Sequence, residues 1–497
     1  MNKALFVNYF SQAWIILLNL LAIPIYIKYL GLEAYAFVGF YTLALSWASI
    51  LDFGMTPIVS RSMARLAGDS SVMLQSARLF RCIEIITYAI GAIIILIAVF
   101  FSTDFAESYP NLERINVPVA SKILFLIGLT VALRYVDTIY RGALTGLQKF
   151  RLLSICDVIF NSVRVFGSLL LLRYSQGELI ISFFIWQLTV ILLAFIINFY
   201  FVYRQIPHLQ KAIRPGVGEG IKILNFAGGI SIITAMSAFV VQLDKAFLVK
   251  FVSLSDFGTY ALLCTVSGIA GVAVMPISQI MQSKLTLYSE KNSAVEFSNV
   301  YHYGSQLVAS IAGATTAVIA CFSIEILGLW LDDKEIAKNG SLILRALVVA
   351  TLLNVLSGMP YRAQIASGWT RLSAKLTLLI LVTLIFLLFF LIPERGALGA
   401  AYALCVVNLI YIVFSTYFMH KNILKEEYWE WFSKDTLRPL VVSFLTGMVL
   451  SYLMPNFEDK FLQLVYLILS GITIMCASVM SVNLIRAEVL KVFNNNE

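Results

Sequence analysis

Apolar runs of about 20 residues follow one another along almost the whole of this sequence, and each is long enough to cross the hydrocarbon core of a bilayer. They fall roughly at 8–28, 36–57, 82–102, 120–139, 153–172, 179–201, 223–245, 257–281, 304–328, 341–358, 373–392, 397–418, 438–454 and 462–484, about fourteen spans in all. Of the 497 residues, 60% are hydrophobic and 13% charged, whereas soluble domains carry roughly 25% charged residues. A soluble fold could not hide so much apolar surface, so the solvent must largely be lipid. The expected fold class is an all-α integral membrane protein with about 14 transmembrane helices.

An even number of spans puts both termini on one side. The loops on that side (58–81, 140–152, 202–222, 282–303, 359–372 and 419–437), together with the termini, hold a clear excess of Lys and Arg over the opposite side. This charge asymmetry assigns both termini to the cytoplasm. The net charge of +8 therefore reflects membrane orientation rather than nucleic acid. The six cysteines (Cys82, Cys156, Cys264, Cys321, Cys405 and Cys476) lie singly in apolar runs and read as small buried hydrophobes, without metal-ligand spacing. The first apolar run leads into another membrane segment rather than into a small-residue cleavage site, so no cleavable signal is expected.

Two segments recur at nearly the same offset, 222 and 221 residues. IPIYIKYLGLEAYAFVGF, from Ile23, is echoed by KAFLVKFVSLSDFGTYALL, from Lys245, so that Lys28 maps onto Lys250, Leu32 onto Leu254 and Tyr35 onto Phe257. YRGALTGLQKF, from Tyr140, is echoed by YRAQIASGWTRL, from Tyr361, matching Arg141 to Arg362. Two matches at nearly one spacing argue for internal duplication. The expected organisation is an N-lobe of six spans (1–212), a C-lobe that repeats it (213–425), and two further C-terminal spans (426–497). Parallel repeats of this kind are related by an axis along the membrane normal, with substrate sites near the midplane. Pro24 should kink span one, Pro57 should close span two, and Pro276 lies near the end of span eight. Gly228 and Gly229 would allow a bend early in span seven.

Span five carries the sharpest polar signal. Ser154, Asp157, Asn161, Arg164 and Ser168 recur at steps of three and four and share one helix face. A charge at the depth of Arg164 costs roughly 2.5–3.5 kcal/mol on insertion scales, so it must face protein or water. It could bind substrate, or it could form a structural Arg164–Asp157 pair two turns apart. Span one has a milder stripe (Asn8, Gln12, Asn19, Tyr26), and span seven another (Ser231, Thr234, Gln242, Lys245). Both suit a cavity wall, and both suit helix–helix adhesion at roughly 0.6–2 kcal/mol per polar contact. Lys28, Lys245 and Lys250 sit near outer helix ends, while Arg141 and Arg362 sit at inner ends, positions also suited to snorkelling charges. Asp52, in LDFG, and Glu84 are intramembrane acids that could couple transport to protons or sodium, or cap a neighbouring helix. No GxxxxGK[ST] loop, nucleophile–base constellation or metal cluster is visible, so neither catalysis nor a bound cofactor is expected.

The segments YLGLEAYAFVGFYTLALSWASILDFGMTPIVSR, from Tyr29 to Arg61, and QLDKAFLVKFVSLSDFGTYAL, from Gln242 to Leu262, resemble signatures of the polysaccharide transporter family. That family belongs to the multidrug/oligosaccharidyl-lipid/polysaccharide (MOP) exporter superfamily. The resemblance implies a Wzx-type flippase for O-antigen or another surface polysaccharide in the bacterial inner membrane. It implies two six-helix lobes around a central cavity working by alternating access, and an undecaprenyl-diphosphate-linked oligosaccharide as cargo. It also implies a cationic site for the diphosphate, to which Arg164, and less closely Lys28, Lys245 and Lys250, correspond. Membrane lipids are implied partners, and polysaccharide polymerase and chain-length proteins are candidate ones. The fourteen spans depart from the twelve of many O-unit flippases and keep lipid II-type flippases open as an alternative. The superfamily's ion-coupled multidrug exporters, which need cavity acids, are a second alternative.

Overall fold

In the computed structural model, residues 2–68, 73–108, 115–174, 178–206, 236 and 239–482 are described, and among them there are helices and connecting turns but no strands. The chain divides into two compact units, Met1–Gly258 and Thr259–Glu497. The expected lobe boundary at 212/213 lies outside the described residues, as do Ser231, Thr234, Gly228 and Gly229.

The first unit contains α1 (Asn2–Leu30), α2 (Leu32–Ile50), α3 (Met55–Gly68), α4 (Met73–Ser108), α5 (Val117–Gly146), α6 (Phe150–Tyr174) and α7 (Leu179–Gln205), followed by a helical stretch at 239–251, α8. Small residues set its close approaches. A Cβ on Gly146 would lie 2.2 Å from the Ser60 carbonyl oxygen, and one on Gly167 would lie 2.1 Å from the Trp186 ring. Large apolar side chains instead face outward, as at Phe100 (68% exposed) and Leu170 (59%), where lipid rather than water would cover them.

The second unit follows α9 (Leu254–Ser267) with α10 (Ile269–Glu290), α11 (Ala294–Cys321), α12 (Ser323–Leu331), α13 (Lys334–Leu356), α14 (Gly358–Ala366) and α15 (Thr370–Asn422). It ends in α16 (Tyr428–Glu430), a π-helical turn (Trp431–Leu437), α17 (Arg438–Tyr452) and α18 (Lys460–Met480). The centre is α11, whose apolar stretch is 67% buried. Its Ala309, Ala312, Ala314 and Ala317 are almost wholly enclosed. Such small side chains let α17 approach, with Leu440 against Gly313 and Gly447 against Cys321.

Among the described residues, ten helices are long and apolar enough to span a bilayer, or eleven if the bent pair Leu32–Ile50 and Met55–Leu66 is one span. Three features separate this count from the expected fourteen. Span seven lies largely outside the described residues, and α17 is only 15 residues long. The third is α15, whose 53 residues break at Gly396 (φ 53°, ψ −132°). Gln364 accepts a hydrogen bond from Ser373 (2.7 Å) and donates one to Ser415 (2.9 Å). In an unbroken helix those two serines would be roughly 60 Å apart, so the halves of α15 run antiparallel as two spans. Contrary to the expectation from the sequence, Pro57 does not close span two. That helix ends at Ile50, and Pro57 lies in the first turn of α3 beyond a 62° bend. Phe53 (φ 45°) and Gly54 (φ 74°) make the bend.

Candidate functional site

Helices α5, α6 and α7 enclose a polar pocket in the first unit, with about 350 Å³ of space between its atoms, part of it open to the exterior. Its polar lining is Arg134 and Arg141 from α5, Asp157, Asn161 and Arg164 from α6, and Asn198 from α7. Three guanidiniums less one carboxylate leave these lining side chains at 3 − 1 = +2.

The short connection between α5 and α6 sets the geometry. It makes the helices antiparallel, so Arg141 and Asp157 come level and bind in a bidentate pair of 2.7 and 2.8 Å. Seven residues further along each helix, or about 10 Å deeper, come Arg134 and Arg164. Among the described residues neither has a carboxylate within the 4.0 Å of an ion pair. Arg164 donates through Nη2 to Asn19 Oδ1 on α1 (2.8 Å), while its Nε is buried without a hydrogen-bond partner. Asn198 is 2% exposed and donates to Asp137 Oδ1 (2.8 Å), and its own Oδ1 is left unpartnered. The pocket therefore combines a neutralised pair at one level with two guanidiniums, outside ion-pair distance of any described carboxylate, two turns deeper.

The polar face of α6 has a second function. Trp14 donates to Ser162 (3.0 Å), and Tyr26 pairs with Ser168 (2.7 Å). Ser168 donates its own proton to the Val165 carbonyl (2.8 Å), so Tyr26 is the donor to it. Hydrogen bonds thus hold α1 to α6 at three levels, two of them (Asn19–Arg164 and Tyr26–Ser168) between residues of the stripes on spans one and five. The pairing of Arg164 with Asp157 considered from the sequence does not form. Asp157 takes the Arg141 fork on the adjacent helix instead.

The remaining candidates are placed elsewhere. Gln12, Lys28 and Lys250 are exposed, and Gln242 is half-buried with its Oε1 unpartnered. Lys245 Nζ lies 4.0 Å from Asp244. None of these lines the pocket. Arg362, the repeat partner of Arg141, is on α14 in the second unit, half-buried with Nε unpartnered. Asp52 accepts the Thr56 N–H (3.2 Å) and its hydroxyl (2.7 Å), capping the first turn of α3. Glu84, 1% exposed, is held by Arg81 (2.7 Å), by the Tyr203 hydroxyl (3.0 Å) and by the hydroxyl of Tyr140. It ties α4, α5 and α7 together.

Two pocket residues went unnoticed in the sequence, Arg134 and Asn198. Asn198 stands alone in an apolar span, whereas Arg134 belongs to a stripe with Thr130, Asp137 and Arg141 at steps of four and three. The insertion cost that singles out Arg164 singles out Arg134 as well.

No family model matches this sequence, and no curated protein does. Solved structures of transporters do match its fold. A lipid II flippase MurJ in an inward closed conformation is similar with a TM-score of 0.69 at 14% identity, over 97% of this chain and 98% of that one. An inward-facing multidrug resistance MATE family transporter of the MOP superfamily gives 0.69 at 14% identity, over 82% and 94%. A MOP superfamily transporter from Pyrococcus furiosus gives 0.55 at 15% identity, over 85% and 96%. The chain is thus a multi-pass membrane protein with the fold of MOP transporters.

Proposed function

We propose that this protein belongs to the MOP superfamily and is a flippase without catalytic chemistry. Its cargo on this reading is an undecaprenyl-diphosphate-linked oligosaccharide of O-antigen or related type. It carries this from the cytoplasmic to the outer leaflet of the bacterial inner membrane by alternating access, with both termini cytoplasmic. The observation that carries the reading is the net-positive α5–α6–α7 pocket, with Arg134 and Arg164 two turns deeper than the Arg141–Asp157 pair. A diphosphate cannot cross hydrocarbon unaided. One guanidinium at about 4 Å, with an effective dielectric near 20, attracts a unit negative charge by roughly 4 kcal/mol. Arginine forks also match phosphate oxygens in shape. Arg362 and the exposed Lys28 and Lys250 would serve, on this reading, as further cationic contacts along the path. Polysaccharide polymerase and chain-length proteins are its natural partners.

A lipid II-type flippase is the second reading. Its support is the near-complete overlap with the MurJ structure, 97% of this chain against 82% for the MATE transporter. The ion-coupled exporter of cationic drugs needs free carboxylates. Asp157, Asp52 and Glu84 are each held by donors, and either of the last two would carry proton or sodium coupling only by releasing them.

The test is purified protein in proteoliposomes given three cargoes: a fluorescent undecaprenyl-diphosphate oligosaccharide, lipid II and a cationic dye. Inversion of the oligosaccharide lipid is the expected result, and inversion of lipid II alone selects the second reading. Dye export driven by a pH or sodium gradient, without lipid inversion, replaces both by the exporter.

A further inference from the structure

Asp157 occupies the fork of Arg141 in the way a phosphate would. Its two oxygens accept from the two terminal nitrogens at 2.7 and 2.8 Å. Both side chains are partly exposed (33% for Arg141 and 28% for Asp157) and both line the pocket. A buried structural ion pair would be sealed from the cavity, whereas this one opens into it. The other charges facing Asp157 are Arg134 and Arg164 in the lining and, behind Asn198, the buried Asp137. Removing the Asp157 charge would raise the lining from +2 to +3.

We infer that Asp157 is a built-in counter-ion that competes with the anionic cargo for Arg141, so that it sets how tightly the pocket holds a diphosphate and how readily it lets go. The inference rests on the diphosphate reading above. A transporter must release what it binds, and a fork with no internal competitor would hold a doubly charged anion by two parallel charge-assisted bonds. With Asp157 present, each anion that enters displaces a carboxylate from Arg141, and each departure is assisted by that carboxylate's return. Asp157 is a specificity-determining residue in this scheme, acting through Arg141 rather than on the cargo.

The experiment is calorimetric titration of the detergent-solubilised full chain with farnesyl diphosphate, with farnesol as control, alongside liposome inversion rates. Asp157→Asn keeps the shape and removes the charge. It should bind farnesyl diphosphate at least about tenfold more tightly than the parent while inverting lipid-linked cargo more slowly. Arg141→Gln/Asp157→Asn, which removes both halves, should lose that gain. A purely structural pair predicts lowered melting temperature with no gain in affinity. Asp157→Asn that is folded and binds no tighter than the parent overturns the inference while leaving the parent's binding, and hence the diphosphate reading, in place. A parent that binds farnesyl diphosphate no better than farnesol removes both. If Asp157→Asn does not fold, Asp157→Ser is read by the same criteria.

Discussion

At the residue scale, the charged groups in the first unit separate into those that are fully satisfied and those that are not. Glu84 is satisfied, with Arg81, Tyr140 and Tyr203 donating to it. Replacing it by alanine strands these donors, two of them on buried or half-buried tyrosines, at about 1–3 kcal/mol each. Glu84→Ala should therefore lower the melting temperature sharply, and Glu84→Gln less, because an amide oxygen still accepts. Asp52 is satisfied by Thr56. Asp52→Ala should cost about 1 kcal/mol, as for loss of a helix cap, and Asp52→Asn only part of that. A gradient dependence of transport that vanishes in a stable Asp52→Asn protein would make that residue a coupling group rather than a cap. Arg134 and Arg164 form the contrasting class, cations with no carboxylate in range among the described residues.

At the scale of elements, packing placed residues that periodicity could only assign to a face. Of the five residues that the i, i+3, i+4 stripe on span five puts on one face, Asp157, Asn161 and Arg164 line one pocket, whereas Ser154 and Ser168 do not. The stripe could not show that an antiparallel neighbour would bring Arg141 level with Asp157, because a sequence period carries no information about which helix comes alongside. The same limit applies to His302, whose partners lie more than 120 residues away in the sequence. On α11 it sits between two acids, with Nδ1 on Asp435 of the π-helical turn and Nε2 on Glu427 at 3.1 Å. Gln306 donates to Asp435 as well (2.7 Å). With both acids ionised they only accept, so both imidazole nitrogens donate and the ring is cationic. This clamp joins the start of the C-terminal segment to the centre of the second unit. His302→Ala leaves Asp435, 1% exposed, without its charged partner. It should destabilise that unit by about 3–5 kcal/mol, visible as early loss of protection of 431–452 in hydrogen exchange. Unchanged protection would mean that apolar contacts alone hold this segment.

At the scale of the whole molecule, the membrane class and the helical architecture were legible because hydropathy alone decides them. The number of spans was harder to read. A hairpin at Gly396 and a 62° bend after Ile50 are local backbone events that average hydropathy does not register. The central functional claim rests on the deep guanidiniums. A hydrogen bond to a charged group is worth about 1.5–3 kcal/mol, or roughly 10- to 100-fold in affinity. The most direct measurement is the inversion rate of a fluorescent undecaprenyl-diphosphate oligosaccharide in proteoliposomes, comparing the parent with Arg134→Gln and Arg164→Gln at matched amounts of folded protein. The account predicts robust inversion by the parent and a drop of at least about tenfold in each variant. Inversion at the parental rate in both variants would contradict it.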